Sequence, residues 1–156
     1  HNDARRQRQM CIRDSSRTFK TKNGLANFIS SDITYAKSSD KFMMMTIRSH
    51  DQYNTTIYGL DDRYRGIKNG RRVVLMNNND IVNLGLSKGS MVDLCSEMNS
   101  GQVVSPKWFV VPYEIPEGNV ATYFPESNIL IPLDSVADRS NTPTSKSVPI
   151  SITKSN

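Results

Sequence analysis

Cysteine and histidine are scarce in this chain of 156 residues, with two of each: Cys11, Cys95, His1 and His50. Two cysteines cannot build a disulfide framework, and a single internal histidine cannot complete a four-ligand zinc site. No apolar run approaches the roughly 18 residues of a membrane helix, and no signal peptide is visible, so neither a membrane span nor secretion is expected. A glycine-rich phosphate loop, a nucleophile elbow and a His-x-x-x-His pair are all missing, and with them the usual signs of P-loop, serine-hydrolase and zinc-protease chemistry. Cys95 falls inside an apolar strand pattern, where a buried thiol of the core is expected. The first residue is His1 and not Met, as in a piece of a longer polypeptide.

Acidic residues are missing mainly from one end. Residues 1–22 carry seven basic side chains against Asp3 and Asp14, whereas residues 23–156 carry thirteen of each sign. The net charge of +5 therefore belongs to the N-terminal arm. A nucleic-acid binder usually shows its excess on the folded face, so no nucleic-acid partner is expected. Residues 1–40 read as a polar, basic arm, and Asn23-Gly24 suggests a small hairpin near 18–28.

From residue 41 the texture becomes that of a folded domain, continuing to 156. Phe42 to Ile47 is a continuous apolar run of strand length, as in a strand covered on both faces. Arg48 to Gly70 is polar and too long for a simple turn; loops of that length inside domains are functional or disordered. Val73 to Met76 reads as a second strand. Asn77 to Asp80 supplies N-cap candidates, Ile81, Val82 and Leu84 one apolar face, and Gly85 a C′ position, which predicts a short helix over about 79–85. Met91 to Cys95, Val103-Val104, Trp108 to Val111 and Val148 to Ile152 supply further strands, and Ile129 to Ile131 is short and apolar. Many short strands with one small helix and no βαβ alternation indicate a mainly all-β fold, a closed or nearly closed barrel.

Three polar stretches stand out. Thr46 to Thr56 packs a guanidinium, an imidazole, two amides, a phenol and hydroxyls directly after a buried strand. That density of donors and acceptors suits a large polar heterocycle or a phosphorylated ligand, and otherwise a solvated loop. Asn128 and the segment Pro132 to Lys146 form a second cluster before the last strand. The third, Arg63 to Arg72, carries five positive charges with Asp61 and Asp62 just ahead of it; it reads as a solvated face or a contact with a partner domain, with nucleic acid or phosphate as the alternative contact.

In this order the pieces resemble the C-terminal molybdopterin-dinucleotide-binding domain of the bis-pterin molybdoenzymes. The nearest likeness is to formate-dehydrogenase-like alpha (molybdopterin) oxidoreductases of the YdeP type. It is carried by Arg48 to Gly66, by Pro132 to Lys146 and by the entry element Phe19 to Phe28. The resemblance implies a six-stranded double-psi β-barrel that covers and positions bis-molybdopterin guanine dinucleotide with its molybdenum. Arg48, His50, Gln52, Tyr53, Asn54 and Thr55 then match the loop facing the pterins. Asn128 matches the Asn of an Asn-x-Leu element, and Lys146 the basic residue before the final strand. No catalytic residue and no metal ligand is expected in this segment; His50 is a possible proton relay, imidazole being the side chain that titrates near neutrality. The parent implied is a cytoplasmic redox enzyme whose earlier domains, on the same polypeptide, carry the molybdenum ligand and a 4Fe-4S cluster that this segment does not bind. Alone the segment would be inactive. The alternative is a double-psi barrel without cofactor, acting as an adaptor or substrate-recognition module.

Overall fold

A computed structural model describes residues 19–32 and 40–156. The chain divides into two units, His1–Ala36 and Lys37–Asn156. In the first, the Gly24 N–H donates to the Thr21 carbonyl at 3.2 Å, closing a turn with Gly24 at φ +69, which glycine adopts without steric cost. No strand flanks that turn among the described residues 19–32, all of which are exposed. The hairpin expected near 18–28 is therefore a turn only, since two strands with no covering layer are marginal in water. Residues 1–18 and 33–39 of the arm, Cys11 included, lie outside the described residues.

The second unit contains six strands: β1 (Phe42–Ile47), β2 (Val73–Met76), β3 (Met91–Met98), β4 (Gly101–Pro112), β5 (Asn119–Tyr123) and β6 (Val148–Lys154). They close into a barrel in the order β1-β5-β2-β4-β3-β6. Two parallel pairs, β1 with β5 and β2 with β4, are joined by the antiparallel pairing of β2 with β5. This is the double-psi β-barrel that the sequence resemblance implies. Closure leaves no strand edge open to a passing chain. One helix, α1 (Asn78–Asn83), follows β2, with the Asn77 side chain accepting the Asn79 N–H. Gly85 takes φ +63 just beyond it, the left-handed position at which helices stop.

Inside the barrel Met44, Val74, Met76, Val92, Leu94, Trp108, Val110, Val120 and Ile150 form the principal core. Cys95 is buried as expected. The run in β1 is not covered on both faces: Met44 is fully buried, while Met45 is 38% exposed. Alternation is hidden in the sequence because methionine serves both faces.

One further expectation changes. Val103-Val104 and Trp108 to Val111 are one strand, β4, in which a register shift opposite Asp93 absorbs Pro106 and Lys107; a proline is tolerated where a bulge interrupts the ladder. The short apolar run stands largely in a 3-10 turn, Asn128–Leu130. β5 carries no obvious sequence signal, since Asn119 and Thr122 interrupt its apolar residues. Yet Val120 joins the barrel core while Ala121 and Tyr123 join a second cluster outside it, with Ile67, Val73 and Leu75. That outer cluster clamps the long β1–β2 loop onto the wall formed by β2 and β5. Burial of Ile67 there is what orders a loop that its own polar sequence would leave free.

Candidate functional site

Both ligand-type loops leave the same end of the barrel. The first begins where β1 ends, at Arg48; the second begins where β5 ends, at Phe124, and returns to β6. β1 and β5 run parallel with Ile47 beside Tyr123, so their C-terminal ends coincide. The Phe124 N–H donates to the Ile47 carbonyl at 2.9 Å, and the Thr46 N–H to the Ser145 carbonyl at 3.0 Å. The Lys146 ammonium donates to the Thr46 carbonyl as well. Two stretches some 70 and 100 residues apart in the chain thus share one mouth, as the pairs Gln52–Phe124 and Thr46–Lys146 record.

Arg71 holds this mouth together. Its guanidinium is 4% exposed and donates through Nε and Nη2 to the two Glu126 carboxylate oxygens at 2.6 and 3.2 Å. It also donates to Ser49 Oγ at 2.7 Å, to Gln52 Oε1 at 2.8 Å and to the Phe124 carbonyl at 2.9 Å. The Tyr58 ring lies 3.9 Å from its central carbon, so the cation is capped by an aromatic face as well as paired. One side chain from the end of the first loop therefore ties the start of that loop to the start of the second.

Asp62 is the other anchor. It is 1% exposed and accepts from the His50 N–H at 3.0 Å, the Arg65 N–H at 3.2 Å, the Arg65 guanidinium at 2.6 Å and the Tyr123 hydroxyl at 2.7 Å. Burial by itself would raise its pKa; the hydrogen bonds from Tyr123, Arg65 and His50 outweigh burial and hold it at about 2. The same contacts act in reverse on the phenol: burial and the neighbouring Asp62 carboxylate push Tyr123 well above the usual phenol range.

Around these anchors the expected site residues separate into two groups. Gln52 is buried and spent: its Oε1 accepts from the Ser49 N–H and Arg71, and its amide donates to the Asn54 and Phe124 carbonyls. It shapes the loop and presents nothing outward. Lys146 is exposed but committed in part to Thr46. Arg48, His50, Tyr53, Asn54, Thr55 and Asn128 are exposed. His50 stacks on Tyr64, ring centroids 3.6 Å apart. Tyr53 and Ile57 exchange backbone hydrogen bonds across the tip, which forces Asn54 into φ +52. Asparagine tolerates that left-handed conformation better than most residues.

Sequence reasoning missed Arg71, Asp62 and Glu126. Arg71 and Asp62 stand in or beside the basic run read as a solvated face or a partner contact. In the fold Arg65 is paired with Asp62 and Arg71 with Glu126, so two of its five charges are used internally. No local signal marks them, because Glu126 and Phe124 lie more than fifty residues from Arg71.

The donor set suits an anion with polar ring edges. A guanidinium, an imidazole, two amides and a hydroxyl face outward at one mouth, and among the described residues the Asn54, Thr55 and Thr56 N–H groups have no acceptor. A pyrophosphate and a pterin edge require donors of these kinds.

A family model described as "Molydopterin dinucleotide binding domain" matches residues 42–149. The chain belongs to that family. This molybdopterin-dinucleotide-binding domain is 49% identical over 139 residues to an uncharacterized oxidoreductase of Mycobacterium tuberculosis, covering 85% of this chain and 18% of the relative. It is 40% identical over 150 residues to the protein YdeP of Escherichia coli K12, covering 91% of this chain and 20% of that protein. The chain thus spans about a fifth of the length of these curated relatives. Acetylene hydratase from Pelobacter acetylenicus shares the fold, with a TM-score of 0.52 at 12% identity, over 74% of this chain and 18% of that one.

Proposed function

We propose that this domain is the C-terminal, cofactor-covering part of a cytoplasmic, formate-dehydrogenase-like molybdenum oxidoreductase. Its ligand would be bis-molybdopterin guanine dinucleotide. One observation carries the reading: two loops distant in sequence meet at a single barrel mouth, pinned from below by Arg71 and Asp62, with their outward donors unspent. Arg48, Asn54, Thr55, Asn128 and Lys146 would hold the cofactor, together with the N–H groups of residues 54–56, and Tyr53 would lie against it. Gln52 acts by fixing the loop. His50, stacked on Tyr64, would hold or pass a proton at its ring nitrogens. When bound, the molybdenum centre supplies the redox chemistry, and these residues bind and orient it and set the charge around it. Earlier domains of the same polypeptide would provide the remaining contacts and a 4Fe-4S cluster, so the 156-residue segment alone has no turnover.

The test uses the full-length enzyme. Asn54→Gly removes the amide while keeping the left-handed backbone, and Asn128→Ala removes the second amide. Losing one hydrogen bond to a charged or polarised group costs about 1.5–3 kcal/mol, so each variant should carry less molybdenum and release less guanine nucleotide on denaturation than the parent. Lys154→Ala, at the far end of β6, serves as the control. Parental cofactor content in both asparagine variants would remove the assignment.

A further inference from the structure

Beside the mouth, the outer face of the barrel carries a groove of about 650 Å³, lined in part by the end of the β1–β2 loop. Its floor is built by register. Val73, Phe109 and Met91 stand side by side across β2, β4 and β3, so their side chains emerge on one face. Phe109 is 45% exposed, and its ring lies so close to Gly89 that a Cβ there would stand 3.2 Å from it. A large aromatic is thus supported from beneath and left open above.

The rim is cationic. Lys68, Arg72, Lys88 and Lys107 line the groove with Arg65, and no acidic residue does. Arg65 is neutralised by Asp62; the other four form no ion pair among the described residues, and all four are exposed. Lys107 sits in the β4 bulge at φ +62, with its N–H held by the Asp93 carboxylate at 2.9 Å. Bulges commonly re-aim a side chain beside a functional surface.

We propose that this groove docks a short segment of a separate protein in which carboxylates flank an apolar side chain. A small-anion site needs a few fixed donors converging inside a pocket. Here three of the four cations are lysines on flexible stems at the edge, Arg72 already donates to Ser105 Oγ at 2.7 Å, and the nearby Asn69 and Gly70 N–H groups are already given to Asp61 Oδ1 and the Leu60 carbonyl. An apolar centre with a charged rim is the anatomy of a reversible protein interface. The complementary charges would steer the encounter and make it sensitive to salt. The basic run of the β1–β2 loop, only partly used at the mouth, thereby gains a second role through Lys68 and Arg72.

Fluorescence anisotropy tests this with a labelled peptide holding one leucine flanked on each side by two glutamates. It is titrated with the 156-residue chain and with the full-length enzyme. Binding should weaken about fivefold with Lys88→Glu and with Lys107→Glu, the scale of one rim ion pair. It should weaken about tenfold or more with Phe109→Ser, which removes the anchor, and severalfold between about 50 and 300 mM salt. A peptide with lysines in place of the glutamates should fail. The proposal is overturned by no binding, by equal binding of the lysine peptide, or by indifference to all three substitutions. Displacement by equimolar pyrophosphate would make the groove a small-anion site and overturn it too. So would binding to the chain but not to the full-length enzyme, which would mean that the enzyme's own domains cover the groove.

Discussion

Replacing Arg71 with methionine removes the guanidinium but keeps much of its apolar stem. Five hydrogen bonds disappear, and Glu126 loses its bidentate partner. Breaking a buried ion pair by deleting one member costs about 3–5 kcal/mol. The lower end applies here, because the Glu126 side chain is 19% exposed and can regain water, and because Gln52 Oε1 still accepts from the Ser49 N–H. A loss of about 3 kcal/mol corresponds to a fall in Tm of about 10 °C for a domain of this size. Trp108, the single tryptophan and fully buried in the barrel, reports the transition by its fluorescence. Adding Glu126→Gln to Arg71→Met should recover about 1 kcal/mol or more, because the stranded carboxylate is then gone. Arg71→Lys keeps the charge without the planar fork and should fall between the two. If Arg71→Met lowered Tm by less than about 2 °C, or if the second substitution deepened the loss, Arg71 would not be the clasp of the two loops.

Two more outcomes follow from the same contacts and packing. Asp62 is held at about 2 against its ordinary 3.8, a pKa lowered in the folded state. Its contribution is therefore whole above about pH 4 and lost as pH falls toward 2, amounting to about 2 kcal/mol; Tm measured from pH 5 to 2.5 should fall more steeply for the parent than for Asp62→Asn, and parallel curves would contradict this. Met44→Ala should cost about 2–4 kcal/mol, and the neighbouring, half-exposed Met45→Ala less than about 1 kcal/mol; equal losses in urea denaturation would mean that β1 is covered on both faces.

Local patterns in the chain were enough for much of the barrel. Phe42 to Ile47, Val73 to Met76 and Val148 to Ile152 declare themselves because a strand lining a core must present apolar side chains at short period. The Asn77 cap and Gly85 bracket the helix because backbone groups at helix ends need those residues. The polar loops were legible as candidate sites for a related reason: a segment rich in donors directly after a buried strand stays at the surface.

Tertiary structure alone decided what those loops share. The parallel pairing of β1 with β5 puts Arg48 and Phe124 at one end, and nothing in either segment encodes that pairing. Thr122 and Tyr123 look ambiguous in sequence, yet both are fully buried, one facing the barrel and the other the clamp over its wall. Arg71 and Arg72 are adjacent and chemically identical, yet one is sealed against Glu126 while the other lines the outer groove. Both stand in the turn that leads into β2, where the Val73 N–H donates to the Arg71 carbonyl at 2.9 Å, so the role of each arginine was set by what the fold brought beside it.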